Sequence, residues 1–150
     1  MGSGLGSGGF VVYDDSACIV RATNAFSRFL YVESCAQCPA CKHGTGQITD
    51  LLQRIDAGDG SDLDVETILA RCFTVTDGQR CALPTGESLL VQSAVQVFGR
   101  EFADHFGHPC PRPREIPLPK LVDFDEKAGR FVYDERYRFK QPDWTYANAE

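Results

Sequence analysis

The chain has 150 residues, of which 43% are hydrophobic, and this is enough to build the core of one domain. A formal net charge of −6 argues against a nucleic-acid surface, because such surfaces use basic residues to neutralise phosphates. No apolar run approaches the roughly 20 residues of a membrane-spanning helix, and the start has no signal-peptide character, so we expect a cytoplasmic protein without direct membrane insertion.

Residues 1–14 are predicted to be a glycine-rich lead-in followed by a short strand that belongs to a preceding domain. Residues 4–9 match the G-x-G-x-x-G pattern of dinucleotide sites. That pattern has its function only between a strand and a helix. Here an apolar run at residues 10–13, typical of a strand, follows the glycines directly. We therefore interpret the glycines as a flexible lead-in.

Residues 15–107 are predicted to form a small four-helix bundle. The first helix has an N-cap within residues 14–16, Gly58 ends the second helix, and residues 61–64 resemble a capping box at the start of the third. Apolar residues recur at helical spacing at Cys18, Ala22, Ala25, Phe26, Phe29 and Leu30; Ile48, Leu51, Leu52 and Ile55; Leu63, Val65, Ile68, Leu69 and Cys72; and Leu89, Leu90, Ala94, Val97, Phe98, Phe102 and Phe106. Such helices close into a bundle when short turns join them.

Three cysteines between the first two helices, Cys35, Cys38 and Cys41, have the spacing C-x2-C-x2-C. Two intervening residues fold the backbone back, so we expect the three sulfurs to converge on one side of a tight loop. This spacing is typical of a cubane iron-sulfur cluster, which is held by four thiolates. Our candidate for the fourth is Cys81, before the last helix. Cys72 is interpreted as a core thiol because of its helical position.

Two other uses of these cysteines remain open. A structural zinc module with four cysteine ligands also takes four thiolates, although zinc ribbons usually supply them as two separate pairs. A disulfide framework is disfavoured by the odd number of seven cysteines and by the expected reducing compartment. We interpret Cys18 as a packed thiol and Cys110 as a free surface thiol.

Three cationic or titratable residues lie next to the predicted ligands. Lys42 and His43 follow Cys41, and Arg80 precedes Cys81. Reduction of a cluster adds negative charge, so these side chains are candidates to stabilise that charge from just outside the ligands. The alternative is ordinary hydrated surface charge.

Residues 108–150 are predicted to be a proline-rich connector, a β-hairpin and a tail. Proline recurs five times in residues 109–119, which indicates an extended and stiff segment. Residues 121–124 and 130–133 have strand character and are separated by a turn. The polar and aromatic tail from residue 136 is expected to pack on a partner subunit or on the chain's own surface. The fold class predicted is therefore mainly α, with a short N-terminal strand and a C-terminal hairpin.

Residues 33–45 (ESCAQCPACKHGT), residues 81–83 (CAL) and the lead-in at residues 5–14 together resemble a known family. The family is the C-terminal part of the flavin- and NADH-binding subunit of NADH:quinone oxidoreductase, respiratory complex I. Its relatives are subunits of NAD-linked hydrogenases and formate dehydrogenases. The resemblance extends from about residue 4 to about residue 105. The family usually has Gly, Pro and Arg where this chain has Ala36, Ala40 and Lys42.

The resemblance implies a [4Fe-4S] cluster on Cys35, Cys38, Cys41 and Cys81 at one end of the bundle. It implies that the cluster takes electrons singly from reduced flavin and passes them to a downstream cluster. FMN and NAD would occupy a missing or separate domain, so we expect no complete NADH or flavin active site in these 150 residues. The expected partners are that flavin- and NADH-binding domain or subunit and a further iron-sulfur subunit, peripheral to a membrane complex. A redox sensor that loses its cluster on oxidation is the remaining alternative.

Overall fold

The computed structural model describes residues 10–112, 114–116, 118 and 120–147, and the fold in these ranges is mainly α. The four helices are α1 (Ile19–Glu33), α2 (Pro39–Ala57), α3 (Asp62–Thr74) and α4 (Leu83–Ala103). They are followed by the antiparallel strands β1 (Leu121–Asp125) and β2 (Arg130–Tyr133) and by a 3-10 helix, η1 (Glu135–Phe139). The predicted four-helix architecture and the predicted C-terminal hairpin are confirmed.

The four helices form a ring in which each helix packs on its two neighbours, and α2 and α4 also touch across it. Helices α1 and α3 each contact both α2 and α4. The fully buried side chains between them are mainly aliphatic, and they include Val20, Ile48, Leu52, Ile55, Ile68, Val75, Val91 and Phe102. Because short turns join successive helices, the chain direction alternates around the ring.

This alternation gives the bundle two ends. The cysteine end contains the end of α1, the start of α2, the end of α3 and the start of α4. The opposite end contains the start of α1, the turn from α2 to α3 and the end of α4. Helix α1 has 15 residues, so the two ends are about 22 Å apart along it.

The helix boundaries confirm two sequence predictions and correct another. Gly58 is the left-handed cap of α2 with φ 91°, and the Asp64 carboxylate accepts the Ser61 N–H at 2.8 Å, which forms the predicted capping box. The N-cap of α1 is Cys18, and not a residue within 14–16 as predicted. The Asp14 carboxylate instead accepts the Ser16 N–H at 3.1 Å and closes a separate turn before the helix.

Helix α4 differs from its prediction at both ends. It begins at Leu83, so Pro84 lies in its first turn, where a proline is tolerated because that N–H has no partner within a helix. A non-helical residue, Phe98, kinks the helix, and both Val97 and Phe98 are exposed although the apolar pattern predicted them to be buried.

The predicted N-terminal strand does not form in the described residues. Residues 10–13 have no regular structure, and Phe10 and Val12 are 78% and 92% exposed. A strand needs a neighbouring strand to pair its backbone groups, and the part of the chain that the structure describes places none beside these residues. The glycines at residues 4–9 lie outside the described residues.

The C-terminal region folds back on the bundle near the cysteine end. The Glu33 carboxylate accepts hydrogen bonds from the Tyr137 hydroxyl at 2.7 Å and from the Lys140 ammonium at 2.6 Å. Arg28 of α1 donates to the Lys140 carbonyl at 2.9 Å. The tail thus packs on the chain's own surface, which is one of the two predicted places for it. None of the described helices combines the length and the apolarity needed to cross a membrane.

Candidate metal centre

The three closely spaced cysteines lie at the junction between α1 and α2, and only Cys41 lies within a helix. Cys35 is exposed in the connection, Cys38 is the N-cap of α2, and Cys41 lies in the first turn of that helix. Cys38 and Cys41 are 8% and 7% exposed. The predicted loop from Cys35 to Cys41 is therefore wrong in its second half. Pro39 explains the early start, because its fixed φ and missing N–H suit the first position of a helix.

Gly44 has a packing role in α2. It is buried within the helix, and a Cβ added there would lie 3.0 Å from Val75 Cγ2 at the end of α3. The missing side chain lets α2 approach α3 closely at the cysteine end, which brings the segment that leads to Cys81 towards α2.

Cys81 is exposed and directly precedes Ala82, the N-cap of α4. Arg80 donates to the side-chain oxygen of Gln37 at 3.4 Å, which connects the Cys81 segment to the residue before Cys38. The structure therefore brings the remote fourth cysteine to the end of the bundle that holds the other three.

The causes of the raised pKa of Cys41 also indicate that the other three cysteines lie near it. Burial raises the pKa of this thiol most, and the nearby thiolates of Cys81, Cys38 and Cys35 raise it further. Four thiolates held near one another repel one another when no cation lies between them. A cationic metal core among them removes that repulsion, so the donor set fits a thiolate-bound metal group.

The four predicted ligand sulfurs are not grouped as tightly as the ligands of one zinc ion. A zinc ion with Zn–S bonds of about 2.3 Å holds its sulfurs roughly 3.8 Å apart. Within the described residues, the ligand atoms that occur in a group of three within 4.8 Å of one another are those of Cys18, His105 and Cys110, and not those of the predicted four.

The residue after the first cysteine has an uncommon backbone conformation. Ala36 has φ 58°, in the left-handed region that disfavours any residue with a Cβ. The family that the sequence resembles usually has Gly at this position, which adopts the same conformation without strain. The turn after Cys35 is therefore formed at a cost in this chain.

Lys42, one of the predicted charge-stabilising residues, is held by backbone carbonyls. Its ammonium donates to the carbonyls of Tyr31, Ser34 and Pro142 at 3.0, 3.2 and 2.6 Å. It also lies over the rings of Tyr31 and Trp144, with centroid distances of 5.0 and 5.3 Å. Lys42 thus connects the tail to the end of α1, which the sequence did not indicate. Its hydrogen bonds are not ordinary hydrated surface contacts.

The other two predicted residues are at the surface. His43 and Arg80 are both exposed, and Arg80 makes the contact with Gln37 described above. Both lie at the cysteine end because of their positions beside Cys41 and Cys81. Their effect on a bound cluster stays a prediction.

Sequence reasoning missed a buried carboxyl group beside this centre. Glu87 in α4 is fully buried, its Oε1 accepts the Ser27 hydroxyl at 2.6 Å, and its Oε2 has no hydrogen-bond partner among the described residues. Burial raises the pKa of Glu87 to about 7, and the Ser27 hydrogen bond opposes this shift. Its charge also raises the pKa of Cys41. The signal was present, since Glu87 precedes the buried Val91 and Ala94 by four and seven residues on one helical face.

A second group of ligand atoms lies at the opposite end of the bundle. Cys18 and His105 are buried, and Cys18 Sγ lies 3.3 Å from His105 Nε2. Cys110 is a free thiol, as predicted, but it is half-buried beside them and does not lie at the surface. The sequence offers no signal for this group, because 87 residues separate Cys18 from His105.

Comparison with known proteins identifies the helical part of the chain. The family model described as the NADH-ubiquinone oxidoreductase-F iron-sulfur binding region matches residues 21–105. The chain is 36% identical over 104 residues to the NADH-quinone oxidoreductase F 2 subunit of Rhizobium meliloti (strain 1021), which covers 69% of this chain and 25% of that protein. The NADH-quinone oxidoreductase F subunit of Mycobacterium bovis is 32% identical over 119 residues, which is 78% of this chain and 27% of that protein.

The corresponding F subunit of Streptomyces coelicolor gives a similar match, 32% identical over 111 residues, or 73% of this chain and 25% of that protein. The chain thus spans about a quarter of the length of these relatives. The family match covers more than half of the chain and includes all four predicted ligands. This protein therefore belongs to the family of the NADH-ubiquinone oxidoreductase-F iron-sulfur binding region, and its cofactor is the [4Fe-4S] cluster that the sequence predicted.

Proposed function

We propose that this chain is an electron-relay module in which Cys35, Cys38, Cys41 and Cys81 hold the [4Fe-4S] cluster. The observation that carries the proposal is the meeting of the two cysteine segments. The Arg80–Gln37 hydrogen bond and the effect of the Cys81 charge on the pKa of Cys41 both support it. Bound there, the cluster supplies one-electron oxidation and reduction without proton transfer to a substrate.

The N-termini of two helices at the cysteine end would stabilise negative charge there. Helices α2 and α4 both begin there, with Cys38 as the N-cap of α2 and Cys81 one residue before the N-cap of α4. The first turn of a helix presents N–H groups without partners in the helix, together with the positive end of its dipole. Two such turns beside four thiolates would stabilise the charge that an added electron brings.

Lys42, His43 and Arg80 are proposed to assist from outside the ligands. The ammonium of Lys42 is close enough to Cys41 and Cys35 for their charges to raise its pKa, although burial lowers it more. Its contacts with three carbonyls hold the charge in one place. A fixed positive charge near the cluster favours the reduced state.

The exposure of the ligands indicates how electrons would enter and leave. Cys35 and Cys81 are exposed, whereas Cys38 and Cys41 are buried. A cluster held by all four would lie at the surface, with one side in the bundle and the other accessible to a neighbouring redox group. We propose that this neighbour is an FMN- and NADH-binding domain or subunit, and that a further iron-sulfur subunit receives the electron, in a complex peripheral to the cytoplasmic face of a membrane.

The domain organisation proposed for the chain follows the same division. Residues 1–14 lead in from a preceding domain, residues 15–107 form the cluster-binding bundle, and residues 108–150 form the connector, hairpin and tail. The match at residues 21–105 supports the middle unit. The hydrogen bonds of Glu33 and Lys42 with the tail support a third unit that packs on the second.

The experiment is a metal and spectroscopic assay of protein purified without air. We expect about four iron and four sulfide per chain and a paramagnetic resonance signal after reduction with dithionite. The variant Cys81→Ser should lose the signal, and Cys72→Ser, which changes a buried thiol outside the proposed ligand set, should keep it.

Two other results would contradict the proposal. One zinc per chain without iron would indicate the structural zinc module with four cysteine ligands. A cluster that survives intact in Cys81→Ser would exclude Cys81 as the fourth ligand. The redox sensor would require a regulatory activity that depends on loss of the cluster.

A further inference from the structure

We propose that Cys18, His105 and Cys110 form a second metal site, at the end of the bundle opposite the cluster, for one divalent thiophilic cation of the zinc class. The Sγ atoms of both cysteines and a ring nitrogen of His105 all lie within 4.8 Å of one another. Two of the three residues, Cys18 and Cys110, lie outside the matched region 21–105, so the site is separate from the family's cluster.

The distances fit a tetrahedral zinc ion. With Zn–S bonds of about 2.3 Å and Zn–N bonds of about 2.0 Å, ligand atoms on one ion are roughly 3.5 to 3.8 Å apart. The Cys18 Sγ to His105 Nε2 distance is 3.3 Å, and all three pairs fall within 4.8 Å. Small side-chain rotations would therefore suffice to place all three atoms on one cation.

The hydrogen bond of His105 fixes the ring for metal binding. Its Nδ1 lies 2.7 Å from the backbone carbonyl of Glu101, which accepts hydrogen bonds and does not donate them. Nδ1 therefore carries the proton, and Nε2 keeps its lone pair and faces Cys18. A histidine that binds a metal through one nitrogen commonly donates from the other to a carbonyl in this way.

The charges also balance at this position. Binding of the cation releases one proton from each of the two thiols to solvent, and two thiolates with a dication give a neutral group. Neutrality matters here because Cys18 and His105 are fully buried, where an isolated charge is strongly disfavoured.

A route to the site is present on the side of Cys110. This thiol is half-buried, and a cavity of about 240 Å³ is lined by His105 and by Pro111, the residue after Cys110, together with Glu101, Asp104 and Arg112. The cavity thus gives access to the histidine ligand, and a water molecule can complete a tetrahedral set. Once bound, the cation would connect the start of α1, the end of α4 and the connector that follows.

The test uses the protein with its iron-sulfur cluster assembled, so that Cys35, Cys38, Cys41 and Cys81 are occupied. After one equivalent of Zn²⁺ is added and unbound metal is removed, zinc and iron are counted per chain. We expect one zinc in addition to the iron. Competition with a chromophoric chelator should show that Cys110→Ala weakens zinc binding at least about tenfold. The matched control, Cys72→Ala, changes a buried thiol elsewhere and should bind zinc like the unchanged chain.

A second readout covers the case in which a variant folds poorly. Co²⁺ replaces Zn²⁺ in thiolate sites and gives intense sulfur-to-cobalt absorption, which should appear in the unchanged chain and disappear in His105→Gln. Equal zinc affinity for the unchanged chain and Cys110→Ala would overturn the inference. So would a Cys18–Cys110 disulfide, seen by mass spectrometry in protein prepared without air.

The outcomes for the two sites are distinguishable. Iron and sulfide report on the proposed cluster, and zinc that depends on Cys110 reports on this site. Protein with a full cluster and no Cys110-dependent zinc would overturn only the second site. Protein without iron, whose zinc content still falls by one in Cys110→Ala, would overturn only the cluster assignment.

Discussion

Both ends of the bundle hold a group of cysteine sulfurs, but the two groups differ in their origin in the sequence and in the spacing of their ligand atoms. At the cysteine end, three of the four thiols come from one short segment, and the group is too wide to place three sulfurs within 4.8 Å. At the opposite end, Cys18 comes from one segment, and His105 and Cys110 come from another that begins 87 residues later, yet their ligand atoms lie within that distance. Closeness in sequence therefore does not determine the spacing of ligand atoms. The helices and the packing around them do.

The two ends also differ in what keeps them together. At the opposite end the backbones approach closely, since the Gly107 N–H donates to the Gly58 carbonyl at 2.9 Å. At the cysteine end, Gly44 lets α2 approach α3 closely, and the long polar side chains of Lys42 and Arg80 also connect segments. Substitution of Gly58 should therefore act through packing, and substitution of Lys42 through charge.

The largest effect on stability is expected for Gly58→Ala at the opposite end. Gly58 has φ 91°, and a Cβ there would lie 2.5 Å from the His108 carbonyl oxygen. Left-handed strain and a clash with backbone should together lower the free energy of unfolding by about 3 kcal/mol. Urea unfolding of the cluster-loaded protein measures this. Gly86→Ala is the control, since a Cβ there meets nothing within 4 Å, and a loss of similar size in that variant would exclude the packing explanation.

The next effect concerns the buried Glu87 near the cysteine end. Its pKa of about 7 lies above the ordinary value of 4.5, so the folded state binds more protons than the unfolded state between these values. This contribution to stability is present at low pH and is lost as the pH rises towards 7. Glu87→Gln, which cannot ionise, should gain on the order of 2 kcal/mol relative to the unchanged chain between pH 5 and pH 8.

The measurement for Glu87 is urea unfolding at both pH values. The glutamine of the variant keeps the size of the original side chain and an oxygen that can accept the Ser27 hydroxyl, so packing changes little. If the difference between the two proteins is the same at pH 5 and pH 8, Glu87 does not titrate in this range.

Replacement of Lys42 by Met tests the charge at the cysteine end. Lys42→Met keeps the length of the side chain but removes the ammonium that donates to the carbonyls of Tyr31, Ser34 and Pro142. We expect a loss of about 1 to 2 kcal/mol in stability and faster proteolysis of the tail. We also expect a lower reduction potential, because a positive charge near Cys41 and Cys35 is gone.

A redox titration and limited proteolysis separate these effects of Lys42. Lys127→Met is the matched control, because Lys127 is an exposed lysine in the hairpin turn. An unchanged midpoint potential in Lys42→Met would show that the charge of Lys42 does not affect the reduction potential and that Lys42 only holds the tail.

The smallest effect is expected at Ala36, which has φ 58° beside Cys35. Ala36→Gly should stabilise the protein by about 1 kcal/mol, because glycine adopts the left-handed region without strain. Ala40→Gly, within α2, should have the opposite sign, since glycine weakens a helix. Thermal unfolding of the two variants checks this pair, and equal signs would show that the turn at Ala36 is not strained.

Features that depend on neighbouring residues followed from the sequence. The Ser61–Asp64 capping box, the Gly58 cap and the hairpin each need groups only a few residues apart, and all three are confirmed. The C-x2-C-x2-C spacing indicated a cubane cluster, because one short segment can present three of its four ligands, and the residues around it together with residues 81–83 and 5–14 predicted the family.

Features that depend on contacts between residues far apart in the chain could not be predicted from the sequence. The strand predicted at residues 10–13 has no partner in the described part of the chain, and α2 extends into the cysteine motif because Pro39 can begin a helix. Residue type alone could not show that Lys42 holds the tail or that Cys110 lies beside Cys18. These contacts join segments up to 100 residues apart.

The helical periodicity, the caps and the chemistry of the ligands can be predicted from the amino-acid sequence, since they depend on backbone propensity and short spacing. Which side chains become buried and which remote groups come into contact depends on how the helices pack. The packing of four helices into a ring buries Glu87, which raises its pKa, and it places His105 beside Cys18. No local sequence pattern encodes these distances.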